Sequence, residues 1–187
     1  MMRCAQTARA YRRNLWRSQN VRVEVWLEKD ALAGVVMEAT DPWDVALMVS
    51  RGQASDTYCY HAAQAIDEAA RDGVKTVILM LYDSDKAGRV AAAKIEEKLH
   101  RHSAYQDLTR CELLAVTDEQ IEYWELPTRP EKQGDGEAVE LDAIPPDQLI
   151  ELVEEAVEDL VDEDAWLIEK AYEESERELL ERMVAGR

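Results

Sequence analysis

The chain has 187 residues, of which 47% are hydrophobic, and its formal net charge at pH 7 is −18. That length suits one domain of about 100–150 residues with an appendage, and it excludes two large domains. No apolar run reaches the roughly 18 residues of a transmembrane helix, and the N-terminus lacks the apolar core of a signal peptide. We therefore expect a cytoplasmic protein without a membrane segment. The three cysteines are too far apart to indicate a disulfide framework or a zinc cluster.

Charge is distributed unevenly along the chain. Residues 1–23 carry six arginines and no acidic residue, whereas residues 151–181 are dominated by Glu and Asp. A basic segment attracts phosphates over about 10 Å at ordinary salt, so the N-terminal arm, including Arg12 and Arg13, is a candidate nucleic-acid contact. The alternative is a solvated surface helix with exposed arginines.

Strand and helix signals then alternate from residue 21 to residue 117. Apolar and β-branched runs predict strands at 21–27, 45–49, 77–81 and 111–116, and helical periodicity predicts helices at 31–39, 56–71 and 86–99. Connections of this length between consecutive strands imply a parallel sheet with helices on both faces. The fold class is therefore α/β, with about four parallel strands.

The pattern changes after Thr117. A capping sequence predicts a short helix there, the prolines at 127 and 130 end it, and residues 131–137 are typical of an exposed loop. From residue 146 onward, apolar residues at helical spacing predict an acidic helical extension that packs on the sheet domain or on a second copy. We divide the chain into a basic helical arm (1–20), an α/β domain (21–117), a connecting segment (118–145) and an acidic helical region (146–187).

Three carboxylates follow two of the predicted strands. Glu28 comes directly after the first strand, and Asp83 and Asp85 come after the third. The carboxyl edge of an open α/β sheet is where ligands usually bind. Carboxylate oxygens are hard ligands that suit a divalent cation, here Mg²⁺ or Mn²⁺. The alternative for Asp83 and Asp85 is capping of the helix that follows them.

The motifs VEVWLEKDALAGV, VALMVSRGQAS and LYDSDKAG, in this order, resemble the Toprim domain of topoisomerases, bacterial-type primases and overcoming-lysogenization-defect nucleases. Within that superfamily they are most similar to the topoisomerase VI A subunit and its meiotic double-strand-break relatives. The segments WLEKDALAGV, LAVTDEQIEYWELPTRP and VELDAIPPDQL resemble Toprim-containing proteins encoded by bacteria, prophages and phages. The resemblance covers about residues 11–160 and implies a Toprim-like Rossmannoid sheet.

The resemblance also implies roles for individual residues. Asp83 and Asp85 would hold the metal, and Glu28 would complete the site or act as general acid/base toward the leaving 3′ oxygen. Lys29 and Arg51 are candidates for contacting the scissile phosphate or the adjacent backbone, with salt bridges to the carboxylates as the alternative. Lys86 stands where many family members have small residues or proline, and it would either lower metal affinity or contact a phosphate.

The length of the segment before the first strand limits which function the resemblance implies. The related topoisomerases carry their tyrosine in a preceding winged-helix domain, and about 20 residues are too few for one. We therefore expect a Mg²⁺-dependent nucleic-acid processing protein with nuclease-like cleavage of DNA rather than a complete strand-passing topoisomerase. The alternative is a noncatalytic or partner-dependent Toprim subunit. Its protein partner would supply the nucleophile or a DNA-binding domain, and a homodimer through the acidic tail is a further expectation.

Overall fold

The computed structural model describes residues 11–50, 54–131 and 136–185. Arg51 and the first ten residues of the predicted arm lie outside these ranges. The chain forms two compact units, of which the larger is Asn20–Leu160. The smaller unit combines the N-terminal arm up to Gln19 with the chain from Val161 onward. The predicted acidic region 146–187 is thus divided between the two units.

The larger unit is built on a four-stranded parallel sheet, as predicted. Its strands follow the order β2-β1-β3-β4 in space, which is consistent with a Rossmann-like fold. Leu27 at the end of β1 pairs with the last residues of both neighbouring strands, so the three strands end level with one another. Their bounds are β1 (Val21–Leu27), β2 (Ala46–Val49), β3 (Lys75–Leu81) and β4 (Thr109–Ala115).

Helices cover both faces of this sheet. Trp26, Ile78 and Met80 on one face join a buried core with α2 and α3, and the alternating residues Val25 and Leu79 of the opposite face are equally buried. Helices α1 and α5 pack against each other, and α5 contacts β4. The helices are α1 (Ala33–Thr40), α2 (Asp56–Arg71), α3 (Lys86–His102), α4 (Asp118–Tyr123), α5 (Pro146–Glu158) and, in the smaller unit, α6 (Glu163–Ala185).

The connecting segment contains more structure than the sequence predicts. Two short strands, β5 (Arg129–Pro130) and β6 (Glu137–Ala138), pair in antiparallel fashion, and only Glu137 of β6 lies within the expected loop 131–137. Val139 then forms an isolated antiparallel bridge with Ser84, just beyond β3. The segment is therefore tied to the carboxyl edge of the sheet, and it brings its own charged side chains there.

The N-terminal arm also differs from its prediction. Residues 11–20 form turns at 15–18 and no helix. A side chain of the same unit takes up one backbone group that a helix would satisfy, because the N–H of Arg13 donates to Glu173. The side-chain amide of Gln19 also exchanges hydrogen bonds with the backbone of Asp162. None of the helices within the described ranges is long and apolar enough to cross a membrane.

Candidate functional site at the carboxyl edge of the sheet

Glu28 and Asp83 meet at the ends of the two central strands. The N–H of Glu28 donates to the carbonyl of Leu81 over 3.0 Å, so the β1–β3 ladder continues one residue beyond β1. The N–H of Asp83 in turn donates to Oε2 of Glu28 over 3.1 Å. Residues 55 positions apart in sequence are thereby joined at one edge. The strand register explains the meeting, because both strands end at the same level.

Asp83 is held by the connecting segment as well as by the sheet. Its Oδ1 accepts a 2.7 Å hydrogen bond from the N–H of Leu141. The same oxygen lies 3.3 Å from Nζ of Lys29, and the side chain is 14% exposed. Asp83 therefore does not cap α3; it is a largely buried carboxylate whose position depends on three separate parts of the chain.

Asp85 does cap α3, as the alternative interpretation expected. Its Oδ1 accepts from the N–H of Gly88 over 2.7 Å, which satisfies one of the unpaired donors at the helix N-terminus. The second oxygen, Oδ2, lies 3.8 Å from Nη2 of Arg129. Capping thus uses one carboxylate oxygen and leaves the other directed at a cation of the connecting segment.

Lys29 forms the salt bridges that were the alternative to a phosphate contact. Its Nζ lies 3.3 Å from Asp83, 3.2 Å from Glu140 and 3.1 Å from Asp142. Of the other predicted cations, Lys86 is exposed and its backbone N–H donates to Glu131. Arg51 lies outside the described residues, so its phosphate contact stays a prediction.

Four charged residues of this edge were not predicted, and all of them come from the connecting segment: Arg129, Glu131, Glu140 and Asp142. Arg129 and Glu140 pair with each other, and the other partners of these four residues are between 42 and 113 residues away in sequence, so no local spacing points to them. One weak signal was present, since apolar and acidic residues alternate from Val139 to Asp142. That alternation indicates a strand-like stretch with its acids on one side.

Burial and like charges perturb the protonation of the site. Burial is the largest influence on Glu28 and raises its pKa, and the charges of Asp83 and Asp85 add to the rise; the hydrogen bond from the Asp83 N–H opposes it. For Lys29, burial works against the charged form. Its pKa is nevertheless raised, because the hydrogen bond to Asp142, the charge of Asp83 and the hydrogen bond to Glu140 outweigh burial.

The donor chemistry of this edge fits a hard divalent cation. Mg²⁺ is bound in proteins by one or two carboxylates together with waters and substrate phosphate oxygens, and Glu28, Asp83 and Asp85 supply such carboxylates from adjacent strand ends. As placed, no three His, Cys, Asp or Glu side chains among the described residues are grouped closely enough to ligate one metal ion.

Arg12 and Arg13, the predicted nucleic-acid contacts of the arm, have different environments within the smaller unit. Arg13 pairs with Glu169 at 2.5 Å and with Glu176 at 2.8 Å on α6. Arg12 lies 3.4 Å from Glu173, but its side chain is 78% exposed. Arg13 is thus committed to α6, whereas Arg12 is accessible to a phosphate.

Comparison with known proteins found no relative of this chain. No protein-family model, curated protein or solved structure matches the chain. Interpretation of the site therefore depends on its own residues, their geometry and the motifs they form.

Proposed function

We propose that the protein is a Mg²⁺-dependent, Toprim-type nucleic-acid processing protein of the cytoplasm that cleaves phosphodiester bonds in DNA. The observation that carries this proposal is the hydrogen bond between the Asp83 N–H and Glu28 Oε2. It joins the first and third motifs of the resemblance, through LEKD and DSD, at the sheet edge where ligands of α/β proteins bind.

Each carboxylate has a distinct role in this proposal. Asp83 and Asp85 would hold the cation, with Mn²⁺ as a substitute for Mg²⁺, and the bound cation would polarise the phosphodiester and offset its developing charge. Glu28 would hold and release a proton at its carboxyl group. Its raised pKa supports this role, since a general acid/base works best with a pKa near the operating pH.

The second candidate function is a noncatalytic or partner-dependent subunit that binds nucleic acid. Lys29 and Arg129 favour it, because they pair with Asp83 and Glu140 at this edge and could exchange such a carboxylate for a phosphate. A protein partner would then supply a nucleophile or a DNA-binding domain. The exposed apolar side chains Leu167, Ile168 and Tyr172 of α6 support a protein contact, with a second copy or another protein.

Nicking of supercoiled plasmid with Mg²⁺ or Mn²⁺ tests the proposed cleavage. The parent is compared with Glu28→Gln and Asp83→Asn, and with Asp107→Asn as a control that removes one exposed carboxylate. We expect nicking by the parent and by Asp107→Asn, and its loss in the two site variants. Equal background in all four preparations would reject autonomous cleavage and favour the partner-dependent subunit.

A further inference from the structure

Glu140 bridges two cations that come from different parts of the fold. Its Oε2 lies 3.2 Å from Nζ of Lys29, just after β1, and its Oε1 lies 2.7 Å from Nη2 of Arg129 in β5. Each cation also approaches one aspartate of the candidate metal site: Lys29 is 3.3 Å from Asp83, and Arg129 is 3.8 Å from Asp85. The carboxylate of Glu140 therefore occupies a two-cation anion site beside the metal ligands.

The geometry of that anion site suits a phosphodiester. Two oxygens of one carboxylate, one on an ammonium and the other on a guanidinium, take the positions that two non-bridging phosphate oxygens would take. The buried Nε–H of Arg129 has no hydrogen-bond partner among the described residues, so the guanidinium has one further donor for a ligand. A phosphodiester has the same number of charged oxygens as the Glu140 carboxylate, so it can make both cation contacts in its place.

The two cations, Lys29 and Arg129, can be reached by a ligand from solvent. The side chains of Lys29, Arg129 and Glu140 are 22%, 30% and 38% exposed. Glu140 is the most exposed of the three, so a ligand can approach the two cations from the side of this carboxylate and take its place. Lys29 would keep Asp142, at 3.1 Å, as a second partner after such an exchange.

We propose that Lys29 and Arg129 form the phosphate-binding pair of this site, and that Glu140 is an internal occupant which a nucleic-acid phosphate displaces. The inference rests on the proposed function, because the ligand is the substrate backbone of that same site. It adds Arg129 to the residues that contact substrate. Glu140 then competes with the substrate phosphate for the two cations. The site binds nucleic acid more weakly with Glu140 present than without its charge.

Binding of a fluorescein-labelled single-stranded DNA oligonucleotide, followed by anisotropy at low salt in EDTA, tests this inference. Glu140→Gln keeps the shape of the side chain and removes its charge. Glu137→Gln is the matched control, since it makes the same charge change at an exposed residue of the same segment. We expect Glu140→Gln to bind roughly threefold to tenfold more tightly than Glu137→Gln, as the loss of two exposed ion pairs implies. Adding Arg129→Met to Glu140→Gln should remove this gain.

Equal affinities of Glu140→Gln and Glu137→Gln would overturn the inference, as would a gain that survives Arg129→Met. Circular dichroism confirms that each variant is folded. If Glu140→Gln does not fold, Glu140→Asp replaces it: the charge of the chain is kept, but the shorter side chain cannot span both cations, and affinity should again rise. Because EDTA removes divalent cations, failure of the metal-dependent cleavage leaves this result unchanged, so the two proposals fail separately.

Discussion

Gly88 and the backbone of Asp83 touch in a way that leaves no room for a side chain. A Cβ atom on Gly88 would lie 2.3 Å from the carbonyl oxygen of Asp83 and 3.1 Å from its carbonyl carbon. The N–H of Gly88 at the same time donates to Asp85. The first turn of α3 is therefore seated directly on the loop that carries both aspartates. Glycine at this position permits the site to form.

Replacement of Gly88 by Ala should displace Asp83 and disturb the site. We expect a loss of about 1–3 kcal/mol in the free energy of unfolding, because the added methyl group overlaps backbone atoms that cannot rotate away. Gly34→Ala in α1 is the control, since a Cβ there meets nothing within 4 Å. That exposed helical change should stabilise by about 0.5–1 kcal/mol. Urea denaturation measures the free energy of unfolding of both variants. Equal changes in the two would contradict the close approach of Gly88 to the backbone of Asp83.

Tyr82 gives the fold a sensitivity to alkaline pH. Burial raises its pKa to about 12 from the ordinary value of 10.0, and its hydroxyl shares a 2.6 Å hydrogen bond with Ser50. Since the folded pKa lies above the unfolded one, the unfolded chain releases the proton first. Stability is therefore unaffected below about pH 10 and falls as pH rises toward 12, by about 1 kcal/mol at pH 11.

Tyr82→Phe should remove this part of the alkaline loss. At neutral pH the variant should be less stable by about 0.5–1.5 kcal/mol, because the hydrogen bond to Ser50 is lost, and between pH 9 and pH 11 its stability should fall less than that of the parent. Tyr123→Phe, at a ring that is 83% exposed, is the control and should follow the parent. Urea titrations across this pH range make the comparison, and parallel profiles for all three proteins would refute the role of Tyr82.

Arg13 should make the smaller unit sensitive to acid. Burial opposes ionisation of Glu173, but the hydrogen bond from the Arg13 N–H and the charge of Arg177 lower its pKa from 4.5; hydrogen bonds from Tyr11 and Arg13 lower the pKa of Glu176. Because these folded pKa values lie below the unfolded value, the stabilisation is present above about pH 4.5 and is lost as pH falls through the folded pKa.

Arg13→Ala should lower the melting temperature at pH 7. It should also reduce the dependence on acid, because it removes the side-chain hydrogen bond that lowers the pKa of Glu176, while the backbone N–H that donates to Glu173 is kept. The substitution leaves the buried Glu169 without the guanidinium that lies 2.5 Å away, and a buried carboxylate without a partner is destabilising. Arg12→Ala is the control, because that side chain is 78% exposed and makes one 3.4 Å ion pair. The melting temperatures of the parent, Arg13→Ala and Arg12→Ala are measured at pH 7 and at pH 4. A larger effect of Arg12→Ala would contradict the contacts assigned to Arg13.

The sheet and its edge could be predicted because their signals are local. Alternation identified the first strand and a continuous apolar run the central one at 77–81, and parallel pairing followed from the length of the connections. Once β1 and β3 are parallel neighbours, their following residues lie at one edge, and so Glu28 and Asp83 meet. The strand order that makes β1 and β3 neighbours, and the hydrogen bond between Asp83 and Glu28, come from the structure.

The second set of charges could not be predicted in this way. Arg129 and Glu140 reach the site because residues 129–131 and 136–143 lie at the edge, held by the β5–β6 pair and the bridge between Val139 and Ser84. Both strands of that pair are only two residues long, which is too short for any periodicity. Prolines and glycines near them indicated a loop. The contacts that hold these strands are made with distant parts of the chain, as between Val139 and Ser84, and local sequence does not reveal them.

Binding of Mn²⁺, followed by electron paramagnetic resonance, tests most directly whether the carboxyl edge holds a divalent cation. The parent, Asp83→Asn and the exposed control Asp107→Asn are titrated under the same conditions, with Mg²⁺ as competitor. We expect the parent and Asp107→Asn to bind Mn²⁺ at a site that Mg²⁺ displaces, and Asp83→Asn to lose that site. Equal binding by all three proteins, or no binding by the parent at millimolar Mn²⁺, would contradict the proposed metal site.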